Sequence, residues 1–201
     1  MKAVYVFICL LTVVSAQCQS PDPHSWSQEP NSFLGITLGM PLRTSVVECP
    51  RVTAYGSTRY EWVGFGRPCF EPMRNFYEIY NISPFFDIIA TEIKGNVEHV
   101  GAKFNNGNAA SLASIDASGI AAALADKFGA AHYHRTEVVH SKAGAAYENN
   151  LLFWKGKNIE IDFESVAGEY NHGYVCAYTV AYVADSSRRQ GQSRDAVKGV
   201  L

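Results

Sequence analysis

What the sequence has little of narrows it first. Neither charge is in excess: 17 basic residues stand against 19 acidic ones, so there is no electrostatic footprint for nucleic acid or an anionic membrane surface. A membrane-length hydrophobic run is missing too. The apolar stretch from Val4 to Val14 is about eleven residues, short of the roughly 20 that cross a bilayer as a helix. The chain has no Gly-x-Ser-x-Gly elbow of a serine hydrolase. It also has no glycine-rich loop placed between a strand and a helix to cradle phosphate: Gly64-Phe65-Gly66 and Asn105-Asn106-Gly107-Asn108 read as turns. No motif calls for a cofactor, and none is expected.

What is present begins with an export signal. Lys2, the apolar run, and Val14-Ser15-Ala16 ahead of Gln17 match a basic start, a hydrophobic region and a small-residue cleavage site. Residues 1–16 are therefore expected to be a cleaved signal peptide, with the mature protein periplasmic or secreted. Gln17 precedes Cys18, where a lipid-attachment box wants a small residue. Of the five cysteines, Cys9 leaves with the signal, and Cys18, Cys49, Cys69 and Cys176 meet an oxidising compartment. Cys49-Pro50 and Pro68-Cys69 flank turn-rich sequence, which favours a Cys49–Cys69 bond. Cys18 with Cys176 is the possible second pair, against a free, buried Cys176 on a strand.

Residues 17–32 carry prolines, Ser and Gln and read as an extended, poorly ordered leader. Residues 185–201, rich in Ser, Gln, Gly and Arg, read as a flexible tail. Between them, residues 33–184 are expected to form a single α+β domain. Pro41 is placed to open a short helix that Pro50 must stop. Phe86 to Ile93 and Val97 to Phe104 flank Lys94-Gly95-Asn96 as a hairpin. Asp116 caps a helix from Ala117 to Phe128 with the stripe Ile120, Leu124, Phe128, and Gly129 ends it. Strands follow over His132 to His140, Tyr147 to Lys155, Asn158 to Glu164 and Tyr174 to Ala184. In Ile159-Glu160-Ile161-Asp162-Phe163-Glu164 the alternation puts the apolar residues inward and the carboxylates in water. The expected fold is antiparallel sheet covered by one helix per half, an order that also fits two tandem helix-plus-meander units with halves 33–107 and 108–184.

Two groups of residues could carry function. His132 and His134 lie on one strand face, about 7 Å apart along the chain, and could share a metal ion if a third ligand arrived; a small secreted hydrolase or metal-binding protein is the reading they support. From Tyr55 to Phe86 the chain is dense in aromatic residues around the proposed disulfide loop. Trp62, Phe65 and Phe70 are the candidates there for contact with a partner, because Trp and Tyr anchor protein interfaces.

The run Leu38-Gly39-Met40-Pro41-Leu42 into Val46-Val47, then strands, then a helix ending Leu124-Ala125-Asp126-Lys127-Phe128-Gly129 and four more strands, resembles small bacterial envelope proteins. In layout it is similar to the β-lactamase inhibitor protein and to the small lipoprotein of the outer-membrane assembly machine. The absent lipid box departs from the lipoprotein. The resemblance implies a non-catalytic binding module (an inhibitor, immunity protein or assembly factor) that takes another protein on a sheet face or its loops.

Overall fold

The computed structural model describes residues 26, 28–54, 56–62, 66–105, 116–140, 144–167 and 172–198. The expected signal peptide, Cys18 and Phe65 lie outside them. The chain opens with a minimal hairpin, β1 (Ser32–Phe33) and β2 (Ile36–Thr37), then a 3-10 turn over Leu42–Thr44 and β3 (Val47–Glu48). A second hairpin, β4 (Arg51–Ala54) and β5 (Ser57–Tyr60), is followed by β6 (Cys69–Pro72), β7 (Tyr77–Tyr80), β8 (Phe86–Ile93) and β9 (Asn96–Asn105). Helix α1 (Ala117–Phe128) leads into β10 (Tyr133–His140), β11 (Ala146–Lys155), β12 (Ile159–Ala167) and β13 (His172–Thr179), and α2 (Val180–Lys198) comes last.

Nine of the described strands form one sheet in the order β10-β11-β12-β13-β9-β8-β7-β6-β3, antiparallel except where β3 runs parallel to β6. This corrects the α+β expectation of one helix per half: the protein is mostly β. Pro41 sits at ψ 138°, extended, and the turn after it ends at Ser45, whose hydroxyl is taken by the Thr37 amide at 2.9 Å. Too few residues remain before Val46, buried, and Pro50 for the first turn of an α-helix to propagate. The two meanders exist, as β6–β9 and β10–β13, but they merge edge to edge into one sheet through β13 and β9.

The tail is a second correction. Val180 starts a helix where strand and then loose tail were expected. The Thr179 hydroxyl accepts from the Tyr182 amide at 3.3 Å, an N-cap arrangement, and Asp185 pairs with Arg188 and Arg189 one turn on. The end of the leader is also fixed in place. The indole of Trp26 donates to the carbonyl of Phe128 at 2.7 Å, and that of Trp154 to Gly129 at 2.8 Å, so two indoles satisfy carbonyls that the end of α1 leaves open. Glu29 accepts from the Asn158 amide and side chain at 3.0 and 2.7 Å.

One sheet face is the core. Ile161, Phe163, Val175, Ala177, Val100, Phe104 and Ile88 pack there under Ile120, Leu124 and Phe128 of α1 and under Phe33, Ile36 and Leu42 of the opening segment. Asp116 caps α1 as expected, accepting from the Gly119 amide at 2.7 Å.

At the junction of β9 and β13 two glycines make room for rings. Gly173 faces Phe104 across the pair, and a methyl group on it would fall 1.9 Å from that ring. Phe104 cannot retreat, since it is fully buried, stacked on Phe163 at 5.6 Å and met edge-on by Phe85 at 6.4 Å. Gly173→Ala is therefore expected to destabilise the fold by about 1–3 kcal/mol through overpacking, read as a drop in denaturant midpoint with an unchanged slope; a midpoint within error of wild type would refute the packing assigned to this junction.

Candidate functional site

Two regions carry the side chains that could act on something else. The first surrounds the disulfide. Cys49 and Cys69 are bonded, as expected, and the bond ties β3 to β6 at the end of the sheet, with the β4–β5 hairpin held between the two cysteines. Glu48 fastens that hairpin. It accepts from Arg43 at 3.0 Å, Arg51 at 2.8 Å and Tyr60 at 3.2 Å, and the two guanidiniums, Arg43 first, hold its carboxyl below the usual range. The Arg51 guanidinium also lies 4.9 Å over the Tyr60 ring.

Trp62 follows the hairpin and is 43% exposed although it is a large aromatic. It stacks nearly parallel on Tyr80, centroids 4.9 Å apart at 8°. Asn81 donates through Nδ2 to the carbonyls of Trp62 and Arg67 at 3.0 and 3.1 Å, bridging the two sides of the segment that contains Phe65. The indole is thus fixed in position while its outer surface stays accessible. Phe70 is a correction: it is fully buried, because on β6 it shares the core-facing register with Ile79, and it meets Tyr77 edge-on at 5.3 Å. It supports the corner from below and offers a partner nothing.

The second region is the sheet face opposite the core. Register places Glu71, Glu78, Ile89, Gly101, Cys176, Asp162, Phe153 and Tyr133 in one file across the sheet. The carboxylates of β12, expected in water, are half-buried there. Tyr178 explains why: it crosses from the adjacent strand and donates to Asp162 at 2.8 Å and Glu160 at 3.3 Å. Burial pushes Asp162 up to about 6; Glu160 adds to the rise, while the Tyr178 bond and Lys155 oppose it. Cys176, beside Asp162, has no disulfide partner among the described residues, which leave out Cys18, and burial pushes its thiol up. A cleft of about 290 Å³ opens next to this group, lined by Tyr133, Phe153, Lys155, Glu160 and Asp162 among others.

His99 belongs to the same face and carried no signal in the sequence beyond its place on an apolar strand. It is 6% exposed, covered by the Tyr182 ring of α2 stacked at 4.7 Å, and its Nδ1 has no hydrogen-bond partner among the described residues. Burial lowers it to about 4.

The two candidate metal ligands point to other work. His132 Nδ1 accepts from the Lys155 amide at 2.9 Å with its ring 5.1 Å from Trp26, and His134 Nε2 meets Asn150 Oδ1 at 3.3 Å. Among the described residues no three His, Cys, Asp or Glu side chains converge as a metal site would need.

Asp162 and His99 titrate in the same window with opposite effect. An acid whose folded value is raised burdens the fold above about pH 6 and is relieved as pH falls toward its unfolded value; a buried neutral His costs stability as pH falls from about 6.5 through 4. Asp162→Asn is therefore expected to raise stability by about 1–3 kcal/mol at pH 7, with the gain gone near pH 4. His99→Phe is expected to remove the acid-side cost, so that its stability rises relative to wild type as pH falls from about 6.5 to 4. Denaturant midpoints from pH 4 to 8 check both, and parallel profiles for wild type and the two variants would show that neither group is buried as described.

No family model, no curated protein and no solved structure matches the chain, so the function proposed for it rests on its own residues.

Proposed function

We propose that this chain is an exported, non-catalytic module that binds another protein through the corner built by Trp62, Tyr80 and the β4–β5 hairpin. The observation that carries the reading is that Trp62 is exposed while its ring is stacked on Tyr80. An aromatic side chain already locked in one orientation loses little freedom on binding, and such anchors dominate protein interfaces. The Cys49–Cys69 bond supports it further, since it fixes the base of the arm on which the corner sits. Export is in keeping with that bond and with the apolar start of the chain. Among the described residues no helix is long and apolar enough to cross a membrane.

The alternative, a secreted hydrolase or metal protein using His132 and His134, has less behind it. His132 accepts a backbone amide through Nδ1 and lies against Trp26, and His134 Nε2 meets an asparagine, and among the described residues no third ligand joins them.

The test is capture of the partner from the host's envelope and culture medium on immobilised wild-type protein and on Trp62→Ala. A protein retained stoichiometrically by wild type should be released by the variant, with binding weaker by at least about 2 kcal/mol and an unchanged thermal midpoint, because the ring is largely outside the core. Equal retention on both would remove the corner as the binding surface.

A further inference from the structure

The two ends of the sheet are finished differently. At one end β3 is two residues long and bonded through Cys49 to β6. At the other, β10 runs eight residues, Tyr133 to His140, with β11 on one side and no described strand on the other. Natural edges are kept from pairing by shortness, proline, bulges or charged side chains; on β10 the charges, Arg135 and Glu137, are of opposite sign. β10 pairs with β11 in unbroken register over its full length, contains no proline, and leaves Val138 62% exposed.

We infer that β10 is a self-association edge, which pairs antiparallel with β10 of a second copy about a two-fold axis through Thr136. The charges of the strand select this occupant and this register. Centred on Thr136, antiparallel pairing sets Arg135 opposite Glu137 of the other copy, and the symmetry repeats the match, giving two complementary cross-strand pairs. Tyr133 falls opposite Val139, and Thr136 opposite itself, both favourable neighbours on a sheet. The adjacent registers are penalised: centred on Arg135 they oppose two arginines, and centred on Glu137 two glutamates. Within one copy Arg135 already reaches Glu137 at 2.9 Å, both partly in solvent, so these side chains stand along the edge rather than folded away from it. Isologous pairing of this kind closes after two copies and buries the only long open edge among the described strands of the large sheet.

Sedimentation equilibrium of the mature chain from micromolar to about 1 mM reads the association directly. A reversible monomer–dimer equilibrium is expected, with Arg135→Glu and Glu137→Arg each weakening it about tenfold or more, because each turns both attractive pairs into repulsive ones. An equimolar mixture of the two single variants should associate again, since one copy then brings carboxylates to both positions and the other brings guanidiniums. The double variant R135E/E137R should associate with itself, because exchanging the two charges preserves both pairs, and it decides the matter should either single variant lose thermal stability. A chain that stays monomeric to the highest concentration overturns the inference. So do single variants that dimerise as wild type does, or a mixture and a double variant that both remain monomeric while folded.

Discussion

Everything in this fold depends on the antiparallel pairing of β13 with β9. Each meander is stitched to itself by short connections, but among the described strands only this pair joins the two. Its specificity comes from glycines opposed by rings on both faces. Phe104 lies against Gly173 on the core side, and the Tyr174 hydroxyl lies over Gly101 on the other, where a methyl group would come within 2.1 Å of it. A slip by one residue would turn every core side chain of a strand to the opposite face. It would also set Phe104 opposite His172 or Tyr174 in place of a glycine. The junction therefore sets the register for both meanders.

That register decides the chemistry of the outer face. With Gly101 beside Cys176 and Cys176 beside Asp162, the ring of Tyr178 is brought across the β12 carboxylates and His99 is brought under α2. Neither group is paired with a full opposite charge, so desolvation dominates both, raising the acid and lowering the base. Their costs oppose one another over the same pH range, which is how a face can bury an acid and an imidazole without making the fold markedly sensitive to moderate acidity.

The parts legible in the sequence are those where one local signal suffices. Asp116 and Gly129 bracket α1, Lys94-Gly95 makes the β8–β9 turn, and alternation in β12 names its core residues. The cysteine pair followed from flanking turns. The parts that were not legible depend on distant partners. Glu160 and Asp162 alternate as solvent-facing carboxylates do, and nothing near them in sequence announces Tyr178. Phe70 belongs to an aromatic-rich stretch, yet its side is set by pairing with β7. Pro41 is a good helix opener, but the Thr37 and Glu92 bonds to the following segment hold a single 3-10 turn. Trp26 sits in a proline-rich leader whose composition hides the helix end it completes.

The Trp62 corner and the β10 edge lie at opposite ends of the sheet, separated by the strands between β7 and β10. At about 4.8 Å per strand, they are on the order of 30 Å apart. A dimer formed along β10 would leave both corners uncovered and carry them at the outer ends of one continuous sheet, so self-association and partner binding would not compete for surface. They would instead be additive: a partner presenting two copies of its own epitope at a matching distance would be held through both corners at once, and the second contact would form at the effective concentration set by the rigid sheet rather than at that of free solution.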